Sequence, residues 1–198
     1  MFSLSPDWAG IFEMILILLV ILIGYSIAEY FLQKHFHPDT TDRSSFLITP
    51  EYCFAFGVGI LEFLVESIIF PSKSKLGNKC SIFGLIGMTI GLAIRFSAIL
   101  HAGKSFTHRL AFRKEPEHKL ITTGIYRYIR HPSYLGFLIF AISSQIYLTN
   151  PIAIIGFYVR LSIFFRQRID IEERYLLKFF PEYEKYRKET RTWMILLF

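Results

Sequence analysis

Four apolar stretches dominate the chain, and their lengths restrict what it can fold into. The first runs from Ile11 to about Leu32, broken only by Glu13 and Glu29. The second, Phe46 to Phe70, contains Glu51, Glu62 and Glu66. The third, Ser81 to Leu100, holds one charge, Arg95; the fourth, Tyr134 to Phe165, holds one charge, Arg160. A helix needs about 20 apolar residues to cross roughly 30 Å of hydrocarbon. Each of the first three stretches fits one span. The fourth is too long for one span and short for two full ones. Asn150-Pro151 lies near its middle, a turn and helix-start signal. The reading is a tight helical hairpin over 134–165. One tilted, kinked span is the alternative, and it would put the C-terminus on the other side.

The composition agrees. Hydrophobic residues make up 53% of the 198 and charged residues 19%, too greasy for an average soluble domain. The length allows one or two compact units and leaves no room for a tethered soluble catalytic domain. Cys53 and Cys80 cannot make a disulfide framework, and neither sits in a Cys-x-x-Cys pair. No basic n-region precedes the first stretch, so no cleavable signal peptide is expected. The expected fold is all-α and membrane-integral, with about five transmembrane helices, the last two paired as the hairpin. The expected division is N-terminal spans over 1–102 and a chemistry-bearing region over 103–198.

The net charge of +6 would suggest nucleic acid on a soluble chain. Here 15 of the 22 Lys and Arg residues lie in two segments flanking the hairpin, Gly103–Ser133 and Arg166–Arg191. The positive-inside rule puts both segments on the cytoplasmic side, which favours the hairpin over a single span. Lys73, Lys75 and Lys79 then fall outside, against that rule.

The densest chemistry precedes the hairpin: Gly124-x-Tyr126-x-x-x-Arg130-His131-Pro132-Ser133-Tyr134-x-Gly136. Gly124 permits a turn, and His131-Pro132 forces an extended residue and then lets a helix begin. A helix start offers free N–H groups that suit a carboxylate or phosphate. Taken singly, these Tyr and Arg residues are ordinary interfacial residues; the ordered string is harder to explain that way. After the hairpin, Arg168 and Glu172 are four apart and share one helix face. Pro181 ends that helix, and Tyr183 and Tyr186 follow. Glu62 and Glu66, one turn apart in the second stretch, are costly in lipid unless buried or paired, with Arg95 as a candidate partner. His35 and His37 form an isolated His-x-His, and His101, His108, His118 and His131 lack zinc spacing, so no metal site is expected.

These segments resemble the isoprenylcysteine carboxyl methyltransferase family of the endoplasmic reticulum. The likeness rests on Ser105–His108, His118–Tyr126, Arg130–Gly136, Asn150-Pro151, Arg166–Glu173 and Phe179–Tyr186. The resemblance implies a multi-pass enzyme of the endoplasmic reticulum membrane, its active site facing the cytosol. It would use S-adenosylmethionine to methylate the C-terminal carboxylate of a prenylated cysteine on CaaX-type proteins. It also implies that His118, Lys119, Leu120, Ile121, Tyr126, His131, Pro132, Ser133, Tyr134 and Glu172 hold the cofactor. Arg168 would meet the substrate carboxylate, making Arg168 and Glu172 the catalytic pair. The sequence departs from the family at Ala111, where a polar residue is expected, and near Thr190–Ile195, which lacks a proline. Three rivals remain on sequence grounds. They are an NADPH-dependent sterol or enone reductase of the same superfamily, a phospholipid or small-molecule methyltransferase, and a non-enzymatic scaffold.

Overall fold

The computed structural model describes residues 5–42, 46–71, 73–107, 113–114 and 118–194. His108 and Ala111 lie outside the described residues. Within those residues every regular element is helical: α1 (Trp8–Phe36), α2 (Pro50–Ile69), α3 (Lys73–Ala102), α4 (Pro132–Tyr147), α5 (Pro151–Phe179) and α6 (Tyr183–Glu189). Two short 3-10 turns, Gly103–Ser105 and Gly124–Arg127, punctuate the segment between α3 and α4.

The helix ends follow local chemistry. The Asp7 carboxylate caps α1 by accepting from the Gly10 N–H at 3.1 Å. Thr49 caps α2 from the Tyr52 N–H at 3.3 Å, with Pro50 opening the helix. Pro132 and Pro151 open α4 and α5 in the same way. α5 stops at Phe179, two residues before Pro181. It does not stop where the apolar stretch ends at Phe165; good helix formers carry it through the charged segment.

Among the described residues, three segments are long and apolar enough to cross a membrane: Trp8–Phe36, Pro50–Ile69 and Cys80–Ser105. The 16 residues of α4 fall short of that length. Large apolar side chains on these spans stay exposed, Phe12, Phe54 and Phe83 among them, as lipid contact requires.

The chain divides into two compact units. One comprises Met1–Thr89 with Phe140–Tyr158, the other Ile90–Ile139 with Val159–Phe198. In the first, Leu18, Leu22, Tyr25, Phe63, Met88, Phe140 and Leu148 are buried. The Tyr25 and Phe140 rings meet at 4.9 Å, and those of Phe56 and Phe157 at 5.4 Å. Glu62 ends the search for its partner here. Its two carboxylate oxygens accept the backbone N–H groups of Ile152 and Ala153 at 2.8 and 2.7 Å, so an acid of α2 caps α5. Asn150, fully buried, donates to the Gly59 carbonyl at 2.7 Å and to Gln145 Oε1 at 3.0 Å.

In the second unit, Phe180, Tyr183 and Tyr186 pack with Leu120, Leu176, Leu177 and Phe179. α4 sits tightly on α3: a Cβ at Gly136 would fall 2.6 Å from the Gly91 carbonyl oxygen. Arg95, 6% exposed within α3, donates to the carbonyl and the hydroxyl of Ser133, both at 3.1 Å.

Candidate functional site

The second unit holds a small cleft of about 120 Å³ that is open to solvent. Lys119, Leu120, Ile121, Tyr126, His131, Pro132, Ser133, Tyr134 and Glu172 all line it. The segment between the two 3-10 turns and the start of α4 therefore come together with the charged part of α5. Of the residues singled out from the sequence, His118 and Arg168 are not in the lining. Arg168 instead reaches Tyr134, with its guanidinium 5.6 Å from the ring centre.

Local structure explains how the lining is held. Gly124 has φ +59°, and a Cβ there would lie 2.5 Å from the His101 ring, so the turn needs both its handedness and its missing side chain. His101 Nε2 is 2.9 Å from the Thr123 hydroxyl. Ser105 Oγ accepts the Lys119 N–H at 3.1 Å and anchors the irregular run through Ile121. Tyr126 donates to the Ala98 carbonyl at 3.3 Å, and Tyr186 donates to the Tyr126 carbonyl at 2.6 Å. Burial pushes the phenols of Tyr126, Tyr183 and Tyr186 up, Tyr186 to about 12. Tyr126 and Tyr186 act as neutral donors.

The Tyr134 hydroxyl joins the two catalytic candidates. It donates to Glu172 Oε2 at 2.6 Å and accepts from Arg168 Nε at 2.8 Å. Its ring stacks on that of His131 at 5.6 Å and that of Phe165 at 5.1 Å. Arg168 and Glu172 share a helix face, as their spacing requires, and a third residue from α4 mediates between them.

Glu173 is the hub that sequence reasoning passed over. Its Oε1 accepts from Arg130 Nε at 2.6 Å and lies 3.0 Å from His131 Nε2; its Oε2 meets Arg187 Nε at 3.1 Å. Burial would raise this carboxyl. The hydrogen bond and charge of His131, with the Arg130 charge, overcome that and hold it at about 2. Arg130 also donates to the carbonyls of Arg187 and Thr190, and its own N–H donates to the Arg191 carbonyl at 2.9 Å. The chain beyond α6 is thereby tied to the Arg-His-Pro string. Ala102, Phe106, Thr107, Leu176, Tyr183 and Tyr186 also line the cleft. In the sequence Tyr183 and Tyr186 stand out only by their place after Pro181 and within the family-like stretch Phe179–Tyr186.

No group of three or more His, Cys, Asp or Glu side chains capable of holding a metal occurs among the described residues.

Comparison with known proteins points one way. Residues 84–178 match the model of the isoprenylcysteine carboxyl methyltransferase (ICMT) family. The chain is 43% identical over 164 residues to protein-S-isoprenylcysteine O-methyltransferase A of Arabidopsis thaliana, covering 82% of this chain and 83% of that one. It is 37% identical over 179 residues to the Saccharomyces cerevisiae protein-S-isoprenylcysteine O-methyltransferase, covering 86% and 75%. Among solved structures it resembles the eukaryotic intramembrane Ras methyltransferase ICMT. The TM-score is 0.90 at 30% identity, over 95% of this chain and 68% of that one.

Proposed function

The chain belongs to the isoprenylcysteine carboxyl methyltransferase family, and from that premise we propose that it methylates the C-terminal carboxylate of a prenylated cysteine, with S-adenosylmethionine as donor, in the cleft described above. The relatives do not favour the reductase reading. The observation that carries the site assignment is the Tyr134 hydroxyl, which ties Glu172 at the cleft wall to Arg168 beside it.

The cleft fits such a donor in its chemistry. It offers the aromatic walls of Tyr126, Tyr134, Tyr183 and Tyr186 and one acidic side chain, Glu172. When bound, S-adenosylmethionine supplies a methyl group on an electron-poor sulfur. The acceptor carboxylate is already ionised at neutral pH, so the protein needs no general base. Its task is to align the two partners and to exclude water. Arg168 presents a planar guanidinium to the carboxylate, and Tyr134 fixes that guanidinium through Nε. Glu172 offers a negative charge to the cofactor's cationic amino or sulfonium group. His118, Lys119, Leu120, Ile121, His131, Pro132 and Ser133 supply the remaining cofactor contacts.

α4 and the apolar first half of α5 form a membrane hairpin, giving about five spans. The basic flanks and the cleft lie on the cytosolic side of the endoplasmic reticulum membrane. The prenyl chain belongs among apolar helices or lipid, and for that reason this chemistry is done by a membrane protein.

The test is a methylation assay with N-acetyl-S-farnesylcysteine and labelled S-adenosylmethionine. Arg168→Ala is expected to lose about 100-fold or more in kcat/KM while S-adenosylhomocysteine still binds. Glu172→Ala is expected to weaken S-adenosylhomocysteine binding. Wild-type rates from both variants would overturn the assignment.

A further inference from the structure

The chain leaves α6 in extended backbone at Thr190, and the residues that follow alternate between inside and outside. Thr190, Thr192 and Met194 are buried; Arg191 and Trp193 face outward, Trp193 at 59% exposure. Trp193 also has φ +57°, the left-handed region that a bulky side chain rarely adopts. Two costs therefore meet at one residue: a strained backbone and a large ring left in water. The Trp193 indole Nε1 donates to the Tyr128 carbonyl at 2.8 Å, and Tyr128 is itself 67% exposed. Exposed arginines, Arg127 and Arg191, accompany the two aromatics. No Asp or Glu occurs in 124–136 or 190–194 to neutralise them.

Both segments are tied to the end of the third span. The Tyr126 hydroxyl donates to the Ala98 carbonyl at 3.3 Å, and Ala98 lies about two helical turns before that span ends at Ser105. Thr123 meets the ring of His101 in the last turn of the same helix. The Arg130 N–H donates to the Arg191 carbonyl at 2.9 Å, which joins the strap after α6 to this anchored segment. Leu100 is exposed on the same span, so its apolar outer surface continues to this height. Tyr128 and Trp193 thus stand near the level at which the third span leaves the hydrocarbon. Tryptophan and tyrosine gather at that level, and basic side chains meet lipid phosphates there.

We infer that Trp193 and Tyr128, flanked by Arg127 and Arg191, seat this part of the chain in the phospholipid headgroup layer of the bilayer that the chain spans. An indole is apolar in body and polar at its N–H, which suits that layer. Its transfer out of water offsets the strain at φ +57°. Guanidinium groups pair with phosphate oxygens through two parallel hydrogen bonds. Arg130 both lines the cleft and holds the strap, so the seat keeps that wall of the cleft at headgroup level.

The sequence contains two tryptophans, Trp8 and Trp193, so Trp8→Phe in the full chain leaves Trp193 as the sole indole emitter. The variant is reconstituted in phosphatidylcholine vesicles, and in matched vesicles whose acyl chains carry bromine close to the headgroup end. Bromine should lower the Trp193 emission roughly twofold, as for a ring at the headgroup boundary. If Trp8→Phe folds poorly, the emission of wild type minus that of Trp193→Phe yields the same quantity, and it should fall to the same extent. Emission that the brominated lipid leaves unchanged would overturn the inference. That holds whether aqueous acrylamide then reaches the ring, as on a solvated loop, or does not, as on a ring folded against protein.

Discussion

Two polar clusters, one in each unit, solve the same problem in different ways. The first gathers Gln145, Asn150, Gly59 and Glu62 at the turn between α4 and α5. It uses neutral amides and places its one carboxylate on helix N–H groups. The second gathers Arg130, His131, Glu173 and Arg187 beside the cleft, and it relies on full charges. Amides and a helix dipole suit a region flanked by apolar spans, where an unpaired charge is most costly. An ionic hub suits the unit whose cleft opens to solvent. The hub also does more positioning, since it holds His131, whose ring stacks on Tyr134.

The comparison is broken most directly at Glu173. Glu173→Ala leaves Arg130, 10% exposed, without its acid, and should cost roughly 3 kcal/mol or more in thermal unfolding. The ionic hub also carries a pH signature. The Glu173 carboxyl sits at about 2 instead of the usual 4.5, so its contribution is complete above pH 4.5 and is lost as pH falls toward 2. The wild-type Tm should therefore fall more steeply over that window than the Tm of Glu173→Gln. Equal slopes would show that the hub adds no charge-dependent stability.

In the amide cluster the effects should be smaller. Asn150→Ala removes two hydrogen bonds and should cost about 1–2 kcal/mol, with little dependence on pH between 2 and 4.5. An acid-sensitive loss there would erase the distinction between the clusters. The smallest effect belongs to the exposed pair Lys188–Glu184 on α6, at 3.0 Å. Lys188→Ala should shift stability by no more than about 0.5 kcal/mol, and that shift should vanish in high salt.

Much of this architecture is legible along the chain because it depends on neighbours in sequence. The three long apolar runs become α1, α2 and the Cys80–Ser105 segment. Pro132 and Pro151 open helices and Pro181 follows the end of one, as the ring and the missing N–H dictate. The string from Lys119 to Tyr134 converges with Glu172 on one cleft. That convergence was expected through resemblance to a family, since no local rule brings together residues some 40 positions apart. Where partners were guessed from composition alone, the sequence misled. Glu62 suggested an acid seeking a cation, and its partners are two backbone N–H groups some 90 residues away. Backbone groups leave no mark in a residue pattern, so no reading of side chains could have found them.

The sequence alone determined that this chain is helical, where its proline-led helices begin, and which runs are apolar enough to meet lipid. These follow from local sterics and from hydropathy summed over neighbouring residues. The tertiary structure alone decided that Glu173 is the hub and that Tyr134 stands between Arg168 and Glu172. A hydrogen bond is satisfied or not by a few tenths of an ångström between segments far apart in the chain. That distance is set by packing, and packing is not written in any local stretch of residues.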